Sequence, residues 1–284
     1  MTLLLMEIKE RMHITQVEKA KRFQALHEGP AFIIPNPWDI GSARILAGFG
    51  FQALATSSGA AALSIGRKDG ELTREEAVTQ ARMIVNATEL PVSADLEKGF
   101  GSSPEDVAET VRQAAEAGLV GCTIEDTARD EAKPIVDLDL AVERIAAGAE
   151  AARKLNFKFM LTARAHGLLF EPRSLDEVIR RLQAFEKAGA DVLFAPGLAD
   201  IGAVREVCAG VSKPVNFMAG IKGQSFPIPE LIDAGVRRIS LATSLYRAAM
   251  TGLFGAVNEI QQSGEFTFLD RSVTTADVIA RMRI

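Results

Sequence analysis

The chain has 284 residues, 48% of them hydrophobic and 24% charged, which is enough for a large core and a length that α/β barrels fill as one domain. A net charge of −5 argues against nucleic acid, which requires a basic face, while leaving room for a local basic pocket that holds an anionic metabolite. The two cysteines, Cys122 and Cys208, fall in no C-x-x-C or zinc-ligand spacing and suit a reduced, cytoplasmic protein.

In chain order, the apolar run Met1–Met6 is short and gives way to Glu7, Lys9 and Glu10 without the basic lead of an export signal. No stretch approaches the length of a membrane span, so the expected address is the cytoplasm. Thr15-x-x-Glu18 predicts an extra N-terminal helix with Val17, Ala20, Phe23 and Leu26 on one face. Near-continuous apolar runs then predict strands at Phe32–Ile34, Ala53–Thr56, Val92–Ala94, Gly121–Ile124, Phe159–Ala163, Val192–Phe194, Val215–Phe217 and Arg238–Leu241. Helices fall between them. Thr73-x-x-Glu76 and Ser174-x-x-Glu177 read as capping boxes, and Ser103-Pro104-Glu105-Asp106 as an N-cap, a first-position proline and first-turn acids. Ala117-Gly118, Ala188-Gly189 and Ala234-Gly235 read as helix stops before strands. Eight such units without a linker predict a single (β/α)8 TIM barrel over residues 1–284, rather than a doubly wound open sheet. The open sheet would place a glycine-rich phosphate loop after its first strand, where this chain has Pro35-Asn36-Pro37-Trp38-Asp39.

A barrel carries its active site at the C-terminal ends of its strands. Those ends hold Ser57-Ser58-Gly59 after strand two, Asp95 and Glu97 after strand three, Glu125-Asp126 after strand four, and Arg164 and His166 after strand five, with Asn216 inside strand seven. Clustered carboxylates stay ionised only around a cation, and hard oxygen ligands without paired His or Cys favour Mg²⁺ or Mn²⁺ over zinc. Simpler readings stand beside these. Asp95 and Glu97 also read as solvated loop acids, Ser57-Ser58-Gly59 as a tight turn, and Arg164 as a structural partner of Asp126. His166 reads as a loop residue, Cys122 as core filling, and Trp38 and Tyr246 as packing residues.

The segment Val92-Ser93-Ala94-Asp95-Leu96-Glu97-Lys98-Gly99-Phe100-Gly101 resembles the Asp-x-Asp/Glu-x-Gly-Tyr/Phe-Gly signature of the isocitrate lyase/phosphoenolpyruvate mutase superfamily. The resemblance runs from Pro35 through Leu241. It implies a (β/α)8 barrel whose C-terminal helix is exchanged between subunits of a homodimer or homotetramer, and chemistry through a Mg²⁺-stabilised enolate of a 2-oxo acid. It further implies that Asp95 binds the metal directly while Asp69, Glu97 and Glu125 hold its waters. Ser57 or Ser58, Gly59 and Ala60 would then bind the substrate's carboxylate and oxo group, Arg164 would face the developing charge, and Asn216 would line the pocket. Asp69 and Glu125 stand with Arg164 as candidate catalytic residues.

The chain departs from the superfamily at two places. Its isocitrate and methylisocitrate lyases carry a Lys-Lys/Arg-Cys-Gly-His loop after strand four and its phosphonate mutases an Asn-Ser pair there. Here that loop reads Thr127-Ala128-Arg129-Asp130-Glu131-Ala132-Lys133-Pro134. After strand six, Ala195-Pro196-Gly197 replaces the Glu of the lyases and the His of the mutases. The reading that asks least of these loops is a Mg²⁺-dependent lyase or decarboxylase that cleaves a C–C bond of a small 2-oxo or 2-hydroxy dicarboxylate. Phosphonopyruvate-type P–C chemistry and a non-catalytic oxo-acid-binding barrel are the alternatives.

Overall fold

The apolar runs form one parallel sheet of eight strands: β1 (Phe32–Ile34), β2 (Leu54–Ala55), β3 (Val92–Asp95), β4 (Gly121–Glu125), β5 (Met160–Arg164), β6 (Val192–Phe194), β7 (Val215–Met218) and β8 (Arg238–Ser240). The structure, a computed structural model, describes residues 14–128, 130 and 132–282. The leading run Met1–Met6, loop residues Arg129 and Glu131, and Arg283 lie outside the described residues.

Strand order is β1-β8-β7-β6-β5-β4-β3-β2, with Glu125 opposite Arg164 and Asn216 opposite Arg238 in the parallel ladders. Between β1 and β2, Ala55 N donates to Pro35 O at 3.0 Å, so the sheet curls into a nearly closed barrel and the open-sheet alternative is discarded.

The helices are α1 (Gln16–Glu28), α2 (Ile40–Gly48), α3 (Ser58–Ser64), α4 (Arg74–Ala87), α5 (Pro104–Glu116), α6 (Leu138–Arg153), α7 (Leu175–Ala188), α8 (Ile201–Gly210), α9 (Ile228–Asp233), α10 (Ser244–Ser263) and α11 (Thr275–Arg281). Thr15, Thr73 and Ser103 make complete capping boxes at α1, α4 and α5. The box expected at Ser174 is half made. Ser174 accepts from Glu177 N, but the Glu177 carboxylate turns to Arg180 and Arg181 instead of back to the cap. Gly118, Gly189 and Gly235 follow α5, α7 and α9 at φ of 92°, 108° and 100°, the left-handed turn that ends a helix before the next strand.

Outward-facing strand residues such as Cys122, Ile124 and Leu161 pack under the helices in the main core. The N-terminal end of the barrel is closed by α1, which lays Ala20 and Phe23 against Phe32, Ile34, Val120, Met160 and Val192. Burying Phe23 there contributes about 1.5–3 kcal/mol. Gly121 makes room for it, because a Cβ at that position would sit 2.6 Å from Met160 O and 3.1 Å from the Phe23 ring. With that end sealed, ligands have the opposite end of the barrel.

The C-terminal helices behave differently from the rest. Helix α10 has no buried residue, and Phe254 on it is 63% exposed. Helix α11 returns to its own chain, where Arg281 lies against Gly48 and its guanidinium stacks 4.8 Å from the Phe49 ring centre. Among the described residues no helix is long and apolar enough to cross a membrane.

Candidate active site at the barrel mouth

A strand turns successive side chains to opposite faces, and this sorts the residues at the end of β4. Glu125 enters the mouth. Asp126 turns outward and pairs with Arg181 of α7 at 3.2 Å, so Arg181, and not Arg164, is its structural partner. Asp126 Oδ1 also accepts from His166 N at 2.8 Å and thereby fixes the loop after β5. Arg164 lies inside, with Nη1 3.5 Å from Glu125 Oε2 and 3.9 Å from Asp95 Oδ2, and its guanidinium 4.8 Å from the Phe194 ring centre. His166 completes this group: its ring is 3.2 Å from Glu125 Oε2 through Nδ1 and 3.1 Å from Arg164 Nη2 through Nε2. Burial alone would raise the Glu125 carboxyl, but the adjacent His166 and Arg164 and the Thr127 hydroxyl outweigh it and hold that carboxyl well below the usual range.

The other acids are held differently. Asp95 accepts from Ser58 N at 3.3 Å and Ser58 Oγ at 3.0 Å, while its own N–H donates to Thr56 Oγ1 at 3.1 Å. Glu97 is only 9% exposed, sits at a strained φ of 49°, and its Oε1 has no hydrogen-bond partner. Burial, then repulsion from Asp95, Glu125 and Asp69, pushes its carboxyl up to about 7. Asp69 as a residue is exposed, yet its carboxylate lies against Gly59, where a Cβ would come within 3.1 Å of Oδ2. Partial burial and repulsion from Asp95 and Glu125 raise Asp69 as well. Among the described residues no three His, Cys, Asp or Glu side chains converge tightly enough to ligate one ion together. A buried, unpartnered carboxylate oxygen among mutually repelling acids fits a hard divalent cation held by one carboxylate and several waters. Asp95, Glu97, Asp69 and Glu125 are the residues that could hold it.

The predicted serine-glycine segment opens α3 at the same mouth. Ser57 lines the cavity and caps the helix, its Oγ accepting from Ala60 N at 3.3 Å, whereas Ser58 commits its hydroxyl to Asp95. Asn216 lines the cavity too, donating to Ser240 Oγ at 3.0 Å and accepting from Arg238 Nε at 2.8 Å. The loop after β4 brings little to the mouth. Thr127 Oγ1 donates to Glu125 Oε1 at 2.7 Å, the Thr127 backbone forms an isolated antiparallel bridge with Ile135, and Lys133 commits its ammonium to Asp137 at 2.7 Å.

Three mouth residues escaped the sequence reading. His166 was weighed as a loop residue but is buried between Glu125 and Arg164. Asn36, quoted only for what it excludes, ties β1 to both neighbours by donating to Thr56 O at 3.0 Å and accepting from Leu241 N at 2.8 Å. Arg238 opens a run that reads as an apolar strand. Its signal was the period-two spacing to Ser240, which places both on the inward face.

A family model described as phosphoenolpyruvate phosphomutase matches residues 23–261. The 2-methylisocitrate lyase of Escherichia coli (strain K12) is 32% identical over 225 residues, covering 76% of this chain and 75% of that protein. The oxaloacetate decarboxylase of Ectopseudomonas mendocina (strain ymp) is 31% identical over 231 residues, 77% of this chain and 76% of that one. Among solved structures, a Burkholderia cenocepacia J2315 protein with the provisional description lyase/mutase superposes at a TM-score of 0.91 with 47% identity, covering 93% of this chain and 95% of its own.

Proposed function

The chain belongs to the phosphoenolpyruvate phosphomutase family of the isocitrate lyase/phosphoenolpyruvate mutase superfamily, and on that premise we propose a Mg²⁺-dependent carbon–carbon lyase or decarboxylase acting on a small 2-oxo or 2-hydroxy dicarboxylate. It would work as a single barrel domain in a homodimer or homotetramer. The observation that carries the reading is the acid cluster of Asp95, Glu97, Glu125 and Asp69 at one mouth, with Glu97 Oε1 buried and unpartnered among the other acids. When bound, Mg²⁺ or Mn²⁺ supplies Lewis acidity toward the substrate's carboxylate and 2-oxygen. Asp95 would hold the ion, and Asp69, Glu97 and Glu125 its waters.

The chain's own groups do the rest. Ser57 or Ser58 and the backbone N–H of Gly59 and Ala60 orient the carboxylate, with Ala60 N shared with Ser57 Oγ. Arg164, positioned by Glu125 and His166, faces the negative charge that grows as the C–C bond breaks, and Asn216 lines the pocket. Loss of CO₂ from a 2-oxo dicarboxylate, with the leaving carboxylate β to the oxo group, would pass the bonding electron pair into the enolate of the 2-oxo acid and needs no general base, which suits a loop after β4 without Cys, His or an Asn-Ser pair. Two relatives named for C–C chemistry support the same choice. The family description favours P–C chemistry, but transfer of a phosphoryl group needs donors that hold it in line. Of the loop's cations, Lys133 is paired with Asp137.

The metal assignment has a direct test. Chelation should abolish turnover or oxo-acid binding, and Mg²⁺ or Mn²⁺ should restore it. Asp95→Asn should weaken Mg²⁺-dependent binding far more than Asp130→Asn, which changes an exposed loop acid. Equal effects of the two substitutions would contradict the site, and tight Mg²⁺-dependent binding of oxo acids without turnover would identify a non-catalytic barrel.

A further inference from the structure

Two arginines reach the mouth cavity, and they differ in their electrostatic company. Arg164 is shared between Glu125 and Asp95, so much of its charge is already answered. Arg238 is 4% exposed and forms no ion pair among the described residues. Its Nε donates to Asn216 Oδ1 at 2.8 Å and its Nη2 to Thr162 Oγ1 at 3.0 Å, two neutral oxygens that fix the plane of the guanidinium. Its Nη1 is buried with no partner. Burial without a neighbouring acid pulls the group down to about 9. A buried cation without a counter-charge costs stability, and an apolar side chain of similar size would fill the space more favourably.

The cavity that Arg238 lines also takes in Ser57, Asp95 and Arg164, so a ligand held at the acid cluster and Ser57 shares its space with this guanidinium. A second carboxylate placed near Asp95 and Glu97 would meet repulsion. At Arg238 it would meet an oriented cation with one uncommitted donor group, Nη1.

We propose that Arg238 receives the second carboxylate of the substrate and makes the site selective for dicarboxylates over monocarboxylates. This rests on the reading of the mouth as a 2-oxo or 2-hydroxy acid site and adds the residue that reads the far end of the molecule. Asn216 is then a positioning residue: its amide accepts from Arg238 and donates to Ser240, which holds the guanidinium in the cavity wall.

Lactate and malate share a 2-hydroxy carboxylate and differ in the far carboxylate, so their ratio of affinities isolates the claim. Calorimetric titration with saturating Mg²⁺ should show malate binding more tightly to the wild-type protein. Arg238→Gln should weaken malate by roughly 10–100-fold, the scale for losing a charge-assisted hydrogen bond, and leave lactate unchanged. Arg238→Lys, which keeps the charge but not the fork of donors, should give an intermediate ratio, and it carries the test if the glutamine variant no longer binds lactate. A malate-to-lactate ratio unchanged by the substitution, or no preference for malate in the wild type, overturns the inference while lactate binding leaves the oxo-acid reading standing. Failure of the wild type to bind either acid with Mg²⁺ overturns both.

Discussion

Glu125 holds three neighbours at once: Thr127 Oγ1 on Oε1, and Arg164 Nη1 and His166 Nδ1 within 3.5 and 3.2 Å of Oε2. That arrangement fixes Arg164 as a planar donor in the mouth, with Phe194 behind it, rather than as a mobile surface charge. Arg164→Ala should therefore lower turnover by on the order of 10²–10³ while the protein still folds, the scale for losing a group that stabilises developing charge. Steady-state kinetics that show only a raised KM with kcat intact would assign Arg164 to ground-state binding instead. Asp95, Glu125 and Arg164 were legible in the sequence because each closes an apolar run that had to be a strand, and barrel strands present their last residues to the mouth. Arg238 was not, because a charged residue at the start of an apolar run looks like the end of the preceding turn. The ladder pairing it with Asn216 and the bond between their side chains show it pointing inward. His166 was missed for a related reason: it lies beyond its strand, and its place is set by Asp126, forty positions away in the chain.

At the scale of elements, α1 closes the barrel and carries a buried titratable group. His27 is 4% exposed, edge-on to Phe23 and Phe32 with ring centres 4.8 and 5.0 Å away, and its Nδ1 lies 2.8 Å from Phe23 O. A carbonyl only accepts, so Nδ1 carries the hydrogen. Burial, reinforced by the charge of Arg238, pushes the imidazole down to about 3. The unfolded chain then binds the extra proton between about pH 3 and pH 6.5, so the stability from neutral His27 is complete above that window and is lost as pH falls through it. Between pH 7 and pH 5 the loss from this one group is roughly 2 kcal/mol. Chemical denaturation of wild type and His27→Gln at both values should show the wild type losing more stability by about that amount. Parallel losses would remove His27 as the cause. The helix itself was readable from Thr15-x-x-Glu18, and its inward face from Ala20 and Phe23. That it plugs the barrel was not readable, since nothing local states which end of a sheet an extra helix will cover. The Ser174 box shows the opposite limit. The motif is present, but Arg180 and Arg181 on the next turn compete for Glu177 and take it.

For the molecule as a whole, the unsatisfied surface is α10. Leu253, Phe254 and Val257 are 52%, 63% and 40% exposed on a helix that has no fully buried residue and packs on the barrel near its start, through Leu245 and Tyr246. Helix α11 is already docked on α2, so of the two C-terminal helices α10 is the one left to pack on a neighbouring subunit. Light scattering at micromolar concentration should therefore give a dimer or a tetramer, and a monomer there would contradict an exchanged α10. The central claim is the bond that breaks, and one product assay decides it. With Mg²⁺ present, oxaloacetate, methylisocitrate, dimethylmalate and phosphonopyruvate are each supplied, and 2-oxo acid and inorganic phosphate are measured together. At least one dicarboxylate should yield pyruvate or another 2-oxo acid, chelation should stop it, and phosphonopyruvate should yield no phosphate. Phosphate release, or interconversion with phosphoenolpyruvate, faster than any C–C cleavage would contradict that claim.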